Sequence, residues 1–324
     1  VTNRDLIKVF RSPHHSIVKM ATIVSRVDTS HTDAINDAQL NYHGTRLATC
    51  SSDKSIKVFD VKPNGQSSLL AELAGHLGPV WKLTWAHPRY NTVLASASYD
   101  KRVLVWQESG GRWTQIHEYK EHEASVNAVA FAPQQYGLVL ATASADGSFA
   151  ILSFSTDTKQ WSVQRVTKAH DQGVNSISWA PPVQLAAFEG NGQSARRIVT
   201  CGNDKLVKIW IQTELGGEWA LEKTLNGHAD FVRDVAWNPI VHHDTLTIAS
   251  CGQDRSLLIW RCKGTGEGEW SCKQLERAQG ALWHVNWSQC GTMLAVSGED
   301  NKITYWKENM QREWVRLASD DDRH

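Results

Sequence analysis

Residues 75–106 read GHLGPVWKLTWAHPRYNTVLASASYDKRVLVW. A loop histidine (His76) comes first, then a short strand ending on an aromatic (KLTW, 82–85). A small, apolar second strand follows (LASAS, 94–98), then a tight SYD turn closing on Asp100. A β-branched third strand ends at Trp106. Runs of β-branched and aromatic residues bounded by turn residues are the signature of strands in an antiparallel sheet. The same pattern recurs along the chain. Turn triplets end at Asp53, Asp100, Asp146, Asp204, Asp254 and Asp300, spaced 46 to 58 residues apart. The third-strand aromatics are Phe59, Trp106, Trp210, Trp260 and Trp306, with Phe154 eight residues after its Asp. The loop histidines are His31, His76, His122, His170 and His228, and the sixth copy has Ala278-Gln279-Gly280 instead.

A period of this length with four strands per unit predicts an all-β, six-bladed WD40 β-propeller. The repeats run approximately 31–73, 74–120, 121–167, 168–225, 226–276 and 277–318, within one domain at 21–318. Residues 1–20 are expected to be an unordered extension, with Met20-Ala21 reading like a natural start, and 319–324 a tail. A fourth strand opens on a further Trp in most repeats (Trp113, Trp161, Trp219, Trp270 and Trp314), so position accounts for most of the 15 tryptophans. A lone four-stranded sheet buries too little apolar area to be stable, and stacked neighbours supply the core. The stretch PPVQLAAFEGNGQSARR (181–197) is expected to bulge from blade 4 as a loop.

Composition narrows the function. Lys plus Arg number 34 and Asp plus Glu 34, so the basic surplus of a nucleic-acid binder is missing. No apolar run approaches the length of a membrane span. Cys50, Cys201 and Cys251 each stand three residues before a turn Asp, a small-residue slot in a strand. Free thiols there suit a reducing compartment. Phosphate-binding, dinucleotide, nucleophile-elbow and zinc-protease motifs are absent, so neither cofactor nor metal is expected. His14-His15 and His242-His243 lack companion ligands, and Asp320–Asp322 reads as a solvated terminus.

His76, Ser98 and Asp100 in one repeat, and His122, Ser144 and Asp146 in the next, imitate a hydrolase triad. A catalyst needs one such site, whereas this constellation recurs, with His170, Asp204, Trp210, His228, Asp254, Trp260, Asp300 and Trp306 at the matching positions. A buried network of loop His, strand hydroxyl, turn Asp and third-strand Trp, fastening the strands of each blade, is the expectation.

The ends carry a further expectation. The last repeat supplies its own fourth strand (314–317), which leaves the apolar segment Thr22–Val27 without a vacancy in blade 6. Unfilled strand edges invite partners. Ile23, Val24, Val27, Trp314, Val315 and Leu317 are therefore the residues expected to line a seam that accepts strands from another chain, the alternative being that the N-terminal strand closes the ring internally.

GHLGPVWKLTWAHPRY (75–90), HEASVNAVAFAPQQYG (122–137), HADFVRDVAWNP (228–239), LWHVNWS (282–288) and SGEDNKITYWKE (297–308) resemble one family closely. It is the small WD-repeat protein shared by the outer cage of COPII vesicle coats and the Y-shaped scaffold of the nuclear pore. The resemblance spans roughly 21–318, and the first nineteen residues are foreign to it. It implies an open six-bladed propeller completed by a blade from a partner. That partner is a large α-solenoid coat subunit in the COPII cage and a scaffold nucleoporin at the pore. It also implies peripheral membrane association through the coat, at the cytoplasmic face of the endoplasmic reticulum and on its vesicles, and a place at the nuclear pore. Some members serve a coat-like complex of vacuoles or lysosomes in nutrient signalling. Two rivals are a peptide-reading WD adaptor (a ubiquitin-ligase receptor or chromatin reader) and the related six-bladed nucleoporin of the same scaffold. The W-D-x-R signature of ligase docking is missing, since Gln, Ile, Arg and Lys follow Trp106, Trp210, Trp260 and Trp306.

Overall fold

The computed structural model describes residues 7–10, 20–21, 23–182, 195–214, 216–241, 244–264, 268–309 and 311–319. Most of the 181–197 insertion, both paired histidines and Asp320–Asp322 lie outside the described residues. Each repeat supplies a four-stranded antiparallel meander, strands a to d in chain order, and the sheet of blade 6 carries one further short strand. Blade 1 comprises Ile35–Leu40, Arg46–Ser51, Ile56–Val61 and Ser67–Leu73. Blade 2 comprises Val80–Trp85, Val93–Ser98, Val103–Ser109 and Arg112–Tyr119. Blade 3 comprises Val126–Phe131, Val139–Ser144, Phe149–Phe154 and Trp161–Val166. Blade 4 comprises Val174–Trp179, Arg196–Gly202, Leu206–Gln212 and Ala220–Asn226. Blade 5 comprises Val232–Trp237, Thr245–Gly252, Ser256–Lys263 and Ser271–Arg277. Blade 6 comprises Leu282–Trp287, Met293–Gly298, Ile303–Glu308 and Trp314–Ser319.

The chain divides into two compact units, Val1–Arg165 and Val166–His324. In the first unit, Ile56 and Val58 of blade 1 pack against Leu83, Leu94 and Leu104 of blade 2. Val103 and Val105 of blade 2 pack against Val129, Leu140 and Leu152 of blade 3. In the second unit, Val207 and Ile209 of blade 4 meet Val235, Ile248 and Trp260 of blade 5. Leu257 and Ile259 of blade 5 meet Val285, Leu294 and Trp306 of blade 6. Successive strand residues point to opposite faces, so a strand b sandwiched between neighbours must be apolar or small throughout. Val93–Ser98 and Val139–Ser144 are buried at every residue.

One tryptophan at the end of strand a meets another near the start of strand d in the same blade. The ring pairs are Trp85–Trp113 at 6.0 Å, Trp179–Trp219 at 5.8 Å, Trp237–Trp270 at 5.9 Å and Trp287–Trp314 at 5.6 Å. Blade 3 departs from the sequence expectation. Leu152, opposite Leu140, holds the slot that Trp106 holds opposite Leu94. Phe154 instead packs on Trp161 at 5.3 Å.

The pairing of strands a and b skips one residue in every blade: Asn36, Trp81, Asn127, Asn175, Arg233 and Trp283. A bulged residue is released from the ladder and its side chain re-aimed. Here several of them reach the next blade. The Asn36 amide donates to Val80 O at 2.9 Å, Trp81 Nε1 to Ser125 Oγ at 3.0 Å, and the Asn175 amide to Val232 O at 2.8 Å. Arg233 lies over the Trp283 ring at 5.1 Å.

Ile7–Phe10, inside the segment expected to be unordered, forms a strand paired antiparallel with Ile23–Val27. Val27 is fully buried against Leu47, Phe59 and Val61, on the face of blade 1 turned away from blade 2. It is therefore a core residue of this unit, contrary to its expected place on an open seam.

Candidate functional site

The repeated polar network takes the same form in blades 1 to 5. The loop histidine turns Nδ1 to the turn aspartate and Nε2 to a strand-b hydroxyl. His76 Nδ1 lies 3.0 Å from Asp100 Oδ2 and its Nε2 2.8 Å from Ser96 Oγ. For His122 the distances are 3.1 Å to Asp146 and 2.9 Å to Thr142. For His170 they are 2.7 Å to Asp204 and 2.8 Å to Thr200. For His228 they are 3.0 Å to Asp254 and 2.8 Å to Ser250. His31 meets Asp53 and Thr49 in the same way, at 2.8 Å each.

The proton positions follow from the charges. The Asp carboxylate accepts, so Nδ1 carries the hydrogen, and Nε2 of a neutral ring is then an acceptor. The hydroxyl donates to Nε2 and accepts from the third-strand indole. Trp106 Nε1 donates to Ser96 at 3.1 Å, Trp210 to Thr200 at 2.9 Å and Trp260 to Ser250 at 2.8 Å. A directed chain results, indole to hydroxyl to imidazole to carboxylate. The aspartate also accepts backbone N–H groups, Leu77 and Arg102 in blade 2 at 2.8 and 3.0 Å.

The hydroxyl in this chain is not the one read from sequence. Ser96 and Thr142, four residues before the Asp, fill the role expected of Ser98 and Ser144. Ser98 donates to Pro79 O at 2.8 Å and accepts from Asp100 N at 3.1 Å, and Ser144 binds Ser125 O and Asp146 N likewise. Spacing explains the slip: residues two and four before the turn share a sheet face, and only the depth of the histidine ring selects between them. Blade 6 lacks the chain altogether. No histidine stands in its loop, Val296 replaces the hydroxyl, and Trp306 Nε1 is buried without an acceptor. Asp300 still caps its turn, accepting Lys302 N at 3.0 Å.

These clasps cannot run acyl transfer, because Thr49, Ser96, Thr142, Thr200 and Ser250 are all at 0% exposure and no substrate reaches them. Among the described residues no cluster of His, Cys, Asp or Glu is fit to hold a metal, and no helix is long and apolar enough to cross a membrane. Burial raises the Cys50 and Cys201 thiols well above their usual range, so both stay protonated and unreactive.

Electrostatics gives the clasps a pH signature. Burial pushes the Asp146 carboxyl up, but hydrogen bonds from Ser148 and the Glu123 amide outweigh it and hold the group at about 2. Burial lowers His122 and His170 below the ordinary 6.5, and their aspartates only partly oppose it. A lowered folded-state pKa favours the deprotonated form. The histidine contribution is therefore whole above about pH 6.5 and lost as pH falls below it. The Asp146 contribution is whole above the unfolded value of 3.8 and lost toward pH 2. Urea midpoints should drop first between pH 7 and 5 and again below pH 4. In the double variant His122→Asn, His170→Asn the first drop should shrink while the second remains. A midpoint flat from pH 7.5 to 5 in the parent chain would contradict neutral clasps.

The expected seam residues part company. Val315 and Leu317 lie on the face of blade 6 turned away from blade 5, with Ile303 and Tyr305. That face is thinly covered, with Ile303 at 39% and Val315 at 45% exposure. Trp314 points the other way, into the contact with blade 5, beside Trp287 and Arg261. Ile23 and Val24 belong to the strand paired with Ile7–Phe10.

Six stretches (24–60, 67–107, 113–151, 161–210, 219–261 and 270–307) match the family model described as WD domain, G-beta repeat. Blades and clasps thus define a six-bladed WD-repeat β-propeller. Among similar proteins, the Protein SEC13 homolog of Caenorhabditis briggsae is 52% identical over 298 residues, covering 92% of this chain and 95% of that one. The Protein SEC13 homolog of Drosophila melanogaster is 42% identical over 304 residues, covering 92% and 84%. The Protein transport protein sec13 of Aspergillus clavatus is 44% identical over 297 residues, covering 87% and 98%. The chain belongs to the SEC13 family.

Proposed function

We propose that this chain is a non-catalytic structural subunit of protein transport, a rigid block in the COPII outer coat that buds vesicles from the endoplasmic reticulum. The same block serves the Y-shaped scaffold of the nuclear pore and a coat-like nutrient-signalling complex of vacuoles or lysosomes. A large α-solenoid subunit is its partner in the coat and a scaffold nucleoporin at the pore, each adding strands to it. The relatives named for protein transport support the coat reading. The observation that carries the partner reading is the outward face of blade 6. Its counterparts between neighbouring blades are closed by ten or more buried residues, whereas Ile303 and Val315 remain open to solvent. Soluble proteins avoid such apolar faces unless something covers them.

Val315→Glu tests this. At 45% exposure the position tolerates the change in the isolated fold within about 0.5 kcal/mol. Recovery of the α-solenoid subunit with the tagged chain should fall at least tenfold, while the thermal midpoint of the chain alone stays put. Co-expression with the blade-donating segment should rescue soluble yield of the parent chain. Undiminished recovery with Val315→Glu, or equal monomeric stability with and without the segment, would overturn the reading.

A further inference from the structure

Strand a of blade 5 and strand a of blade 6 carry their bulged residues, Arg233 and Trp283, near the end where the turn aspartates lie. Elsewhere the bulged side chain is spent on the next blade: Asn36, Trp81 and Asn175 each donate a hydrogen bond across the boundary. Among the described residues Arg233 bonds only within its own blade, and the Trp283 indole N–H has no acceptor. Exposure, order and charge together say what this pair can hold.

Trp283 is 45% exposed, the one exposed tryptophan of the fifteen. The ends of strands a in blades 4, 5 and 6 bury theirs, at Trp179, Trp237 and Trp287. A large apolar ring left in water favours any contact that removes it from solvent.

The Arg233 guanidinium packs against two rings, 5.6 Å from the Phe231 centroid and 5.1 Å from that of Trp283. Its Nε and Nη2 both donate to Gln253 Oε1, at 3.1 and 2.8 Å. Two cation–π contacts and a bonded edge fix the plane of the fork, so little side-chain freedom is left to lose on binding.

Gln253 is neutral, and Arg233 forms no ion pair among the described residues. The carboxylates on the adjoining loops serve their own backbone. Asp230 Oδ1 accepts Phe231 N at 2.8 Å, and Glu299 Oε2 accepts Ala281 N at 3.1 Å. Arg233 Nη1 has no partner in the chain and is not among the buried unpaired atoms, so the end of the fork is open to solvent.

We infer that Arg233 and Trp283 form a docking point for an acidic peptide of another protein. The guanidinium takes a carboxylate side chain and the indole an adjacent aliphatic one. Nη1 and the second hydrogen of Nη2 match the two oxygens of a carboxylate, and Arg and Trp are the side chains on which interface binding energy concentrates. The site is separate from the open face of blade 6, because Trp283 is on strand a and Val315 on strand d.

Three fluorescein-labelled pentapeptides, alike except for a central Asp, Asn or Lys between leucines, test this by anisotropy with the full chain at physiological salt. The Asp peptide should bind about tenfold tighter than the Asn peptide, the worth of one charge-assisted hydrogen bond, and the Lys peptide most weakly. Arg233→Gln should erase the difference between Asp and Asn. Trp283→Ala should weaken the Asp peptide by about tenfold, as loss of an interface anchor does, with the thermal midpoint unmoved. If Arg233→Gln lowers that midpoint, Trp283→Ala and the peptide series on the parent chain decide. In the chain labelled with ¹⁵N-tryptophan, the indole resonance that Trp283→Phe removes should shift saturably with the Asp peptide. Equal affinity for the Asp and Asn peptides, tighter binding of the Lys peptide, no saturation, or an unmoved Trp283 resonance overturns the proposal.

Discussion

Replacing Asp100 with Ala should lower the unfolding free energy by about 3–5 kcal/mol, because the His76 Nδ1–H, two backbone amides and the Arg102 guanidinium lose their acceptor, at about 1–3 kcal/mol for each group left buried. The carboxylate side chain is only 7% exposed and accepts from His76 Nδ1, the Leu77 and Arg102 amides, and both Nε and Nη2 of Arg102. Removing it leaves the His76 Nδ1–H unpaired in a fully buried ring and two backbone N–H groups without acceptors. Against a typical domain stability of about 5–15 kcal/mol, that is a third or more of the total. Asp100→Asn, which keeps the shape but not the charge, should fall between parent and alanine. Urea unfolding at pH 7.5 measures both. A loss below about 1 kcal/mol for the alanine variant would mean the carboxylate is solvated and the clasp unimportant.

Ser96→Ala against Ser98→Ala is the second contrast, and the sharper one. Ser96 Oγ sits between two buried nitrogens, accepting from Trp106 Nε1 and donating to His76 Nε2. Its loss orphans both and should cost about 2–4 kcal/mol, one unsatisfied-group penalty for each. Ser98 binds only carbonyls at the blade's end and the Asp100 amide, so Ser98→Ala should cost about 1 kcal/mol. In the double variant Ser96→Ala, Trp106→Phe the indole donor goes with its acceptor, and part of the loss should return. Equal costs for the two serines would show that the hydroxyl chain is misassigned. Blade 6 already tolerates one broken link, since Trp306 lacks an acceptor where Val296 replaces the hydroxyl. That blade should be the first to exchange its amide hydrogens, because its outward face is also the least covered.

The strands, the turn aspartates and the histidine loops were legible because each depends on local chemistry repeated six times. A small-residue strand b, a β-branched strand c and an Asp turn leave the same trace wherever they occur, and the sheets follow them closely. The triad lookalike was also legible as structure, because a catalyst has no use for five copies. The sixth copy's missing histidine was visible as well. What it does to Trp306 was not.

From sequence alone come the six repeats, their strand order and the aspartate–histidine pairing, all fixed by patterns within about fifty residues. Tertiary structure decided the rest: Ser96 over Ser98, Leu152 over Phe154 as blade 3's buried third-strand residue, and Val27 as core. It also sent Trp314 toward blade 5 and Val315 away from it, although they are neighbours in the chain. The physical reason is the two-residue period of a strand. A string of apolar residues says that both faces are greasy, but only the neighbouring sheet, and the bulge that resets register in each blade, says which face is covered and which stays open.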